Sequence, residues 1–483
     1  MTAGGLKRVF ESHPFLRNFS LLTVGNFGSR FLSMIINIIV ARVLAPEHYG
    51  EYSLVLTYVS MFYFVASLGL SQLVTRSVAR DQDNSDYFFR LSLWLRLLGF
   101  VIAAVAFGIY GVVMKVDFST VALFAILGGV FLESLWDAQQ NVAFGMQRME
   151  WNTIIGISST LLNLLVYLFM YFCLPRSFFT VASVLWVYLG IYIIKNAAYY
   201  FCMRRFGLLR LHDVDRPITL PVCRSFLIES FPFYIMYLLG LFTGQFPILF
   251  LEHNAGIEEV AYFNTANKLL LPITLFMNTA FSAFFPNQSI LFAKDRQAFS
   301  RQTRRVLMLV CGIGVFLALC ISLLKGEIVW LLYGEAYRST ADVLAYQSWY
   351  VVMYSIFCLN GSTLGAADAQ LKLAVCSVIY ALVSTPILYF SSRFGAHGLA
   401  MGFVVASIIN LAYIIPVLKR TVGGSMTWGF SLGLLGVLFA AAALSIFVFG
   451  GLPLAWRLVL LVLLCASGLV FIKRKKIWTK LQS

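Results

Sequence analysis

Residues 16–80 read LRNFSLLTVGNFGSRFLSMIINIIVARVLAPEHYGEYSLVLTYVSMFYFVASLGLSQLVTRSVAR. The stretch contains two long apolar spans joined by a short link over residues 42–52, and the first span carries Arg30 in its interior. A helix needs about 20 apolar residues to cross a bilayer core. A guanidinium inside such a helix costs several kcal/mol unless it faces water or a partner, so it usually marks a functional path. The stretch therefore predicts a membrane protein in which an anionic group passes or binds near Arg30.

The composition of the whole chain points the same way. The 483 residues are 60% hydrophobic and only 12% charged, with a mean hydropathy of +0.84, whereas soluble domains are about 25% charged. The apolar runs are long and do not alternate with polar residues, which indicates helices and not the strands of a barrel. The segment before the first span is polar, basic and interrupted by Pro14, so no cleavable signal peptide is predicted. The sequence predicts an all-α polytopic membrane protein.

Apolar windows separated by charged or Pro/Gly-rich links predict about fourteen transmembrane helices. They lie near 16–40, 52–70, 90–113, 118–140, 152–174, 178–203, 226–251, 260–285, 304–324, 341–366, 372–390, 396–418, 428–449 and 454–472. The eighth span is unusually polar and contains Lys268 and Pro272. Polar spans of this kind persist only where they face a cavity or other helices.

Lysine and arginine residues are unevenly distributed between the two sides of this topology. About 25 of them lie on one side and about seven on the other, and the richer side of a membrane protein is cytoplasmic. Both termini are then cytoplasmic, which requires an even number of spans. This bias, with contacts to lipid headgroups, accounts for most of the net charge of +15. We therefore expect membrane lipids as partners and no nucleic acid.

A short sequence pattern recurs at the start of the second and the eighth span. Residues 46–52 (PEHYGEY) match residues 257–263 (IEEVAYF) in their acidic, small and aromatic positions, and residues 79–82 are echoed by 293–296. Six spans separate the copies, so both have the same orientation in the membrane. The pattern predicts two six-helix lobes related by a parallel repeat, followed by two extra helices. The predicted divisions are the N-lobe, 1–210, the C-lobe, 211–420, and the C-terminal helices with a basic tail, 421–483.

The sequence lacks the motifs that catalysis would need. No extramembrane segment exceeds about 25 residues, which leaves no room for a soluble catalytic domain. A Gly-x-x-x-x-Gly-Lys phosphate-binding loop is absent, and the cysteines and histidines are not spaced as metal ligands. We therefore predict a transporter and not an enzyme, without a cofactor or metal, and with H⁺ or Na⁺ as the candidate coupling ions.

Cations inside the predicted spans are the first candidate site residues. Arg30 lies about halfway along the first span, and Lys268 lies roughly 12 Å of helix rise inside the eighth. If the two lobes face each other across a cleft, these cations could meet near its centre. Each also has a simpler explanation, because Arg30 could belong to a structural ion pair and the long stem of Lys268 could snorkel to the outer interface.

Two acidic residues of the fourth span could be connected with these cations. Glu133 and Asp137 lie one helical turn apart and share a face of the helix. They could neutralise Arg30 or Arg96 as structural partners. Alternatively, they could be protonation sites that couple transport to an ion gradient.

Other charged residues lie closer to the predicted cytoplasmic side. Arg76, at the end of the second span, could meet an incoming anionic headgroup or simply contribute to the positive cytoplasmic side. Glu229 precedes Pro232 in the seventh span and could bind an ion or cap a broken helix. We expect Arg96 and Lys195 to snorkel toward the membrane surface.

Several motifs spread over most of the chain carry a family resemblance. They are Gly25-Asn26 with Arg30, Ala41-Arg42-x-Leu44-x-Pro46-Glu47-x-Tyr49-Gly50, Leu68-Gly69-Leu70-Ser71-Gln72-x-x-x-Arg76-x-x-Ala79-Arg80, Ala266-x-Lys268, Phe285-Pro286, Leu332-Tyr333-Gly334-x-x-Tyr337 and Phe394-Gly395-Ala396-x-Gly398. With these motifs the chain resembles the polysaccharide transporter family, which comprises O-antigen and oligosaccharide flippases, of the multidrug/oligosaccharidyl-lipid/polysaccharide (MOP) flippase superfamily.

The resemblance implies two lobes around a central cavity that opens alternately to each side of the bacterial inner membrane. In this family the cavity is cationic and receives the pyrophosphate and sugars of an undecaprenyl-linked oligosaccharide, while the lipid tail stays in the bilayer. Carried over, Arg30 and Lys268 become pyrophosphate-binding candidates. The implied function is translocation of an O-antigen or other surface polysaccharide repeat unit, with polysaccharide polymerase machinery as a further partner.

Three other functions remain as alternatives. A lipid II flippase, which carries a peptidoglycan precursor, is close in mechanism. A multidrug cation antiporter of the same superfamily would need buried carboxylates, and the first span has Arg30 and no acid, although Glu133 and Asp137 keep this alternative open. A membrane polymerase or ligase of lipid-linked sugars would be expected to carry a large external loop, and the predicted outer links are short.

Overall fold

The computed structural model describes residues 14–115, 118–209 and 217–422, together with scattered positions between 440 and 460. Within these residues all regular elements are helices, with fourteen α-helices, three 3₁₀ segments and no strand. The all-α fold predicted from the long apolar runs is therefore confirmed.

The α-helices are α1 (Pro14–Ser67), α2 (Leu70–Arg80), α3 (Ser85–Met114), α4 (Thr120–Gly145), α5 (Met149–Cys173), α6 (Val181–Arg205), α7 (Leu220–Gly244), α8 (Phe246–Ala255), α9 (Ile257–Lys294), α10 (Arg296–Leu323), α11 (Lys325–Tyr333), α12 (Thr340–Ala366), α13 (Gln370–Ser392) and α14 (Gly395–Val422). The 3₁₀ segments are Gln82–Asn84, Arg176–Phe178 and Glu335–Tyr337.

Each of the first twelve predicted spans coincides with helical structure. The first two spans form α1, which is divided by a sharp break at Ala45, and the seventh span is covered by α7 and α8. Among the described residues, nine helical segments are long and apolar enough to cross a membrane. The more polar eighth and tenth spans form the long helices α9 and α12. The predicted spans at 428–449 and 454–472 lie largely outside the described residues.

The helices are grouped into two compact units, residues 1–264 and 265–483. In the first unit, α1 packs against α3, α4 and α5, α4 packs against α6, and α7 packs against α1 and α2. In the second unit, α12 packs against α10 and α14, and α13 packs against α14. The division predicted from the repeat, at residue 210, concerns sequence symmetry and not packing, and it stays a prediction.

Both copies of the repeated sequence begin a helix after the same unusual backbone conformation. Ala45 has φ 61° and ψ 169°, and Gly256 has φ 96° and ψ 174°. This region of backbone space is strongly disfavoured for residues other than glycine. Pro46 follows Ala45, and proline both disfavours a helical residue before it and suits the first position of a helix. The two links therefore share a backbone conformation as well as a sequence pattern.

The burial of side chains also repeats between the two copies. Tyr49 and Val260, which occupy equivalent positions, are both completely buried. Three residues later in each copy, Tyr52 and Phe263 are 8% and 5% exposed. This agreement in conformation and burial supports the parallel repeat predicted from the sequence.

Gly50 provides a test of the packing at this link, because an added Cβ would overlap the carbonyl oxygen of Ile257 at the start of α9. We expect Gly50→Ala to lower the free energy of unfolding by about 1–3 kcal/mol, the usual cost of overpacking. Thermal unfolding of the purified protein in detergent measures the change. Gly108→Ala in α3 is the matched control, since nothing lies within 4 Å of the Cβ there and alanine has the higher helix propensity. Equal stability of the two variants would contradict the described contact.

Candidate functional site

One face of α1, before the break at Ala45, carries four polar residues. Asn26, Arg30, Ser33 and Asn37 recur at intervals of four, three and four, which places them in a row along one side of the helix. Asn26 and Arg30 are exposed, whereas Ser33 and Asn37 are partly buried. We refer to these four residues as the α1 polar stripe.

The other faces of α1 are apolar or packed. Gly25 lies against α5, where an added Cβ would come 2.5 Å from the Thr153 side chain. Phe27 and Phe31 are exposed apolar side chains on a separate face. Because exposed phenylalanines suit hydrocarbon and an arginine does not, the α1 polar stripe is the face of this helix that suits water or a polar ligand.

Hydrogen bonds hold the far end of the stripe in place. Asn37 Nδ2 donates to the Ser33 carbonyl oxygen at 2.9 Å. Tyr49, which is completely buried on the other side of the break, donates its hydroxyl to Asn37 Oδ1 at 2.7 Å. The stripe is thus tied to the second half of α1 and has a defined orientation.

Arg96, and not Arg30, is the partner of Asp137. Arg96 Nη2 lies 2.5 Å from Asp137 Oδ2, and Ser71 Oγ donates to the same oxygen at 2.5 Å. Arg96 is 2% exposed, so the expectation that it snorkels to the surface was wrong. A carboxylate on a neighbouring helix supplies its counter-charge inside the unit. Among the described residues Arg30 forms no ion pair, and it faces the exposed side of its helix.

Glu133 lies one turn from Asp137 but has different partners. Tyr192 donates its hydroxyl to Glu133 Oε1 at 2.5 Å. Lys195 Nζ lies 3.5 Å from the centroid of the Trp136 ring and 4.7 Å from that of Tyr192, a cation–π arrangement that stabilises a partly desolvated ammonium. In the described part of the chain Glu133 forms no ion pair. The two acidic residues that share a face therefore differ in their surroundings.

Arg76 and Glu229, chosen from the sequence for separate roles, form an ion pair that joins α2 to α7. Beside them, Tyr237 donates its hydroxyl to Gln72 Oε1 at 2.8 Å. This pairing could not be predicted from the sequence, because the partners are 153 residues apart and the rotation of one helix against the other is not a local property. The predicted encounter of Arg76 with a headgroup remains a prediction.

Lys268 lies in α9, in the second unit, and is partly buried. When the two repeat copies are aligned, Lys268 corresponds to Thr57, and Arg30 corresponds to Leu241. The two candidate cations are therefore not symmetry equivalents of each other. Each cation is present in one copy of the repeat only, and the other copy has an uncharged residue at the aligned position.

The buried Arg96–Asp137 pair predicts a large stability effect. Asp137→Asn leaves the guanidinium of Arg96 buried without its counter-charge, and we expect a loss of about 3–5 kcal/mol in the free energy of unfolding. The double variant Arg96→Met, Asp137→Leu removes both charges, so we expect it to be more stable than Asp137→Asn. Thermal unfolding in detergent compares the two. Glu335→Gln, at the exposed pair with Arg338, is the control and should change stability little. An Asp137→Asn variant as stable as Glu335→Gln would rule out a structural role for the pair.

A bundle of membrane helices that keeps an exposed arginine on one polar face has the features of a membrane transporter. The family model for polysaccharide biosynthesis proteins matches residues 15–292, more than half of the chain. A curated relative, the capsular polysaccharide biosynthesis protein CapF of Staphylococcus aureus, is 20% identical over 422 residues, which cover 84% of this chain and 99% of CapF. The chain belongs to the polysaccharide biosynthesis protein family.

Solved structures with the same fold include two members of the MOP superfamily. The lipid II flippase MurJ in an inward closed conformation has a TM-score of 0.69 at 14% identity and covers 94% of this chain and 99% of its own. An inward-facing multidrug resistance MATE family transporter has a TM-score of 0.62 at 15% identity and covers 81% of this chain and 96% of its own. At these identities the likeness concerns the fold alone. Together with the family match, it confirms the resemblance to MOP-superfamily polysaccharide transporters.

Proposed function

We propose that this protein is a flippase that moves an undecaprenyl-pyrophosphate-linked oligosaccharide from the cytoplasmic to the outer leaflet of a bacterial inner membrane. The cargo would be a repeat unit of a surface polysaccharide, such as a capsule or the O-antigen of lipopolysaccharide. The observation that carries the proposal is Arg30, an exposed guanidinium on the α1 polar stripe of a membrane helix. Family membership and the relationship to CapF support a cargo from polysaccharide biosynthesis.

The physical demand on such a protein is to shield the headgroup of its cargo. An isolated ionised group moved into hydrocarbon faces a penalty of tens of kcal/mol, whereas the lipid tail needs no protein path. Arg30 offers paired N–H donors in a planar fork, the geometry that matches phosphate oxygens. The amides and hydroxyl of the same stripe offer neutral hydrogen bonds to water or sugar hydroxyls. Alternating access would then carry the shielded headgroup across.

Two further cations are proposed for the same headgroup. Lys268 supplies a compact ammonium that contacts phosphate oxygens without the planar geometry that arginine requires. Arg76 would meet the headgroup earlier, because the predicted topology places the end of the second span on the cytoplasmic side. On this proposal Arg76 is the first of these cations that the cargo meets.

The energy for transport would come from an ion gradient or the membrane potential. Asp137 is already neutralised by Arg96 within 2.5 Å, which makes it a poor ion site. Glu133 accepts a hydrogen bond from Tyr192 and forms no ion pair among the described residues. Of the acidic residues selected from the sequence, Glu133 is therefore the one we assign to binding H⁺ or Na⁺.

A translocation assay in vesicles with a fluorescent undecaprenyl-pyrophosphate oligosaccharide tests the proposal. We expect Arg30→Ala to slow translocation about 10- to 100-fold, because a hydrogen bond to a charged group contributes about 1.5–3 kcal/mol. Arg30→Lys should retain part of the rate. Arg42→Ala is the matched control, since Arg42 is an exposed arginine of the same helix outside the stripe. Normal translocation by Arg30→Ala would contradict the cationic site.

The same vesicles separate the alternative functions. A lipid II flippase is favoured if the wild-type protein translocates lipid II and not the oligosaccharide carrier, and the fold shared with MurJ makes this the second candidate. A multidrug antiporter is favoured if only cationic dyes are moved in response to an ion gradient. Either result would replace the proposed cargo.

A further inference from the structure

The contact between α2 and α7 lies beside two irregular points of the backbone, the start of α2 and a proline within α7. Between α1 and α2, Leu68 and Gly69 have positive φ angles of 49° and 69°, so the chain makes a sharp break. In α7, Pro232 lacks the N–H that would continue the helical hydrogen bonds. The break before α2 and the proline of α7 thus lie in the same part of the first unit.

Close backbone approach holds these two points together. An added Cβ on Gly69 would lie 2.5 Å from the backbone nitrogen of Tyr234 and 2.7 Å from the Ser230 carbonyl oxygen. Ser230, which is 1% exposed, donates its hydroxyl to the Leu68 carbonyl oxygen at 2.9 Å. That carbonyl is freed by the break, and a partner is needed because free backbone groups are costly inside a membrane. The α7 helix therefore closes over the break through specific hydrogen bonds.

One side of this contact is fixed to the rest of the unit. Ser71 lies in the first turn of α2 and donates to Asp137, which is also paired with buried Arg96. In contrast, the described residues of α7 form no bond with this buried pair. The α7 helix contacts α2 through the polar side chains of Glu229 and Tyr237 and through the apolar side chain of Phe226, and Ser230 bonds the break itself. If the contact opens, α7 is the element that moves.

The ion pair in this contact is exposed enough for another anion to replace Glu229 at Arg76. The side chains of Arg76 and Glu229 are 40% and 53% exposed, and ion pairs with this exposure contribute little to stability. A pyrophosphate carries more negative charge than a carboxylate and offers more oxygens to the guanidinium fork. Arg76 cannot satisfy both anions fully, so a pyrophosphate that reaches it competes directly with Glu229.

We propose that Glu229 is an internal counter-anion that occupies Arg76 while the site is empty and is displaced by the pyrophosphate of the cargo, which releases α7 from α2. This inference rests on the proposed flippase function and assigns to that function a residue that senses the cargo. It gives Glu229 a role that is distinct from ion coupling. Arg76 then acts twice, as the closing contact of the empty protein and as the first ligand of the cargo.

The distance between α2 and α7 reports this exchange. Nitroxide labels at Ala79→Cys and Ser225→Cys, two exposed positions on these helices, are placed in the full-length protein in lipid nanodiscs, with the eight native cysteines replaced. Electron–electron double resonance then gives the ratio of long to short distances. Farnesyl diphosphate is the probe, and farnesyl monophosphate and farnesol are its controls.

Farnesyl diphosphate should raise the proportion of long distances in the wild-type background, and farnesol should not. We expect Glu229→Gln to raise the long-to-short ratio without ligand by about two- to fivefold, and to tighten farnesyl diphosphate binding by a similar factor, because an exposed pair has only this much to contribute. Arg76→Gln should raise the same ratio but lose the response to the diphosphate. Glu335→Gln, which removes an acid from an exposed pair in the second unit, should match the wild type.

Two results would overturn the inference. The first is a Glu229→Gln variant with wild-type distances and wild-type diphosphate affinity. The second is a wild-type protein that translocates the oligosaccharide carrier in vesicles while farnesyl diphosphate leaves its distances unchanged. In both cases the flippase function can stand and only the exchange at Arg76 fails. If the wild-type protein neither binds the diphosphate nor translocates the carrier, the proposed function itself fails.

Discussion

The structure depends on one constraint, that a charge inside a membrane segment must have either a counter-charge or water. Two arginines of the first unit meet this constraint in opposite ways. Arg96 is 2% exposed and lies against Asp137, a buried pair whose disruption would leave an uncompensated charge. Arg30 is exposed on the α1 polar stripe and has no ion pair among the described residues. The first arrangement serves structure, and the second leaves a guanidinium available to an anion from outside the chain.

The packing around these arginines gives each a fixed place. Gly25 lets α1 approach α5 closely, and the bond from Tyr49 to Asn37 joins the stripe to the helix beyond the break at Ala45. The bond from Ser71 to Asp137 attaches α2 to the buried pair. The stripe and α2 are therefore attached to buried partners, whereas the polar contacts of α7 with α2 are an exposed ion pair and a hydrogen bond beside the apolar contact of Phe226. A transporter needs both kinds of contact, because some elements must stay fixed while others exchange partners.

The sequence predicted the helices well because apolar length is a local property of the chain. The repeated link could also be recognised in the sequence. Its shared backbone conformation at Ala45 and Gly256 could not be predicted, because an alanine does not indicate a positive φ. The partner of Asp137 was left open between two arginines, because the choice depends on how neighbouring helices are rotated. The Arg76–Glu229 pair depends on the same rotation across 153 residues. The spacing of Asn26, Arg30, Ser33 and Asn37 follows the helical period, so the stripe can be predicted from the sequence alone.

The most direct test of the central claim is the water accessibility of α1 around Arg30. Single cysteines over residues 26–37 are treated in vesicles with a membrane-impermeant thiol reagent, with and without farnesyl diphosphate. We predict rapid modification at the four stripe positions, slow modification at Phe27, Phe31 and buried Ile36, and protection by the diphosphate around position 30. Slow modification along the whole stripe, or equal rates at the stripe and at the two phenylalanines, would contradict an aqueous anion path along this face.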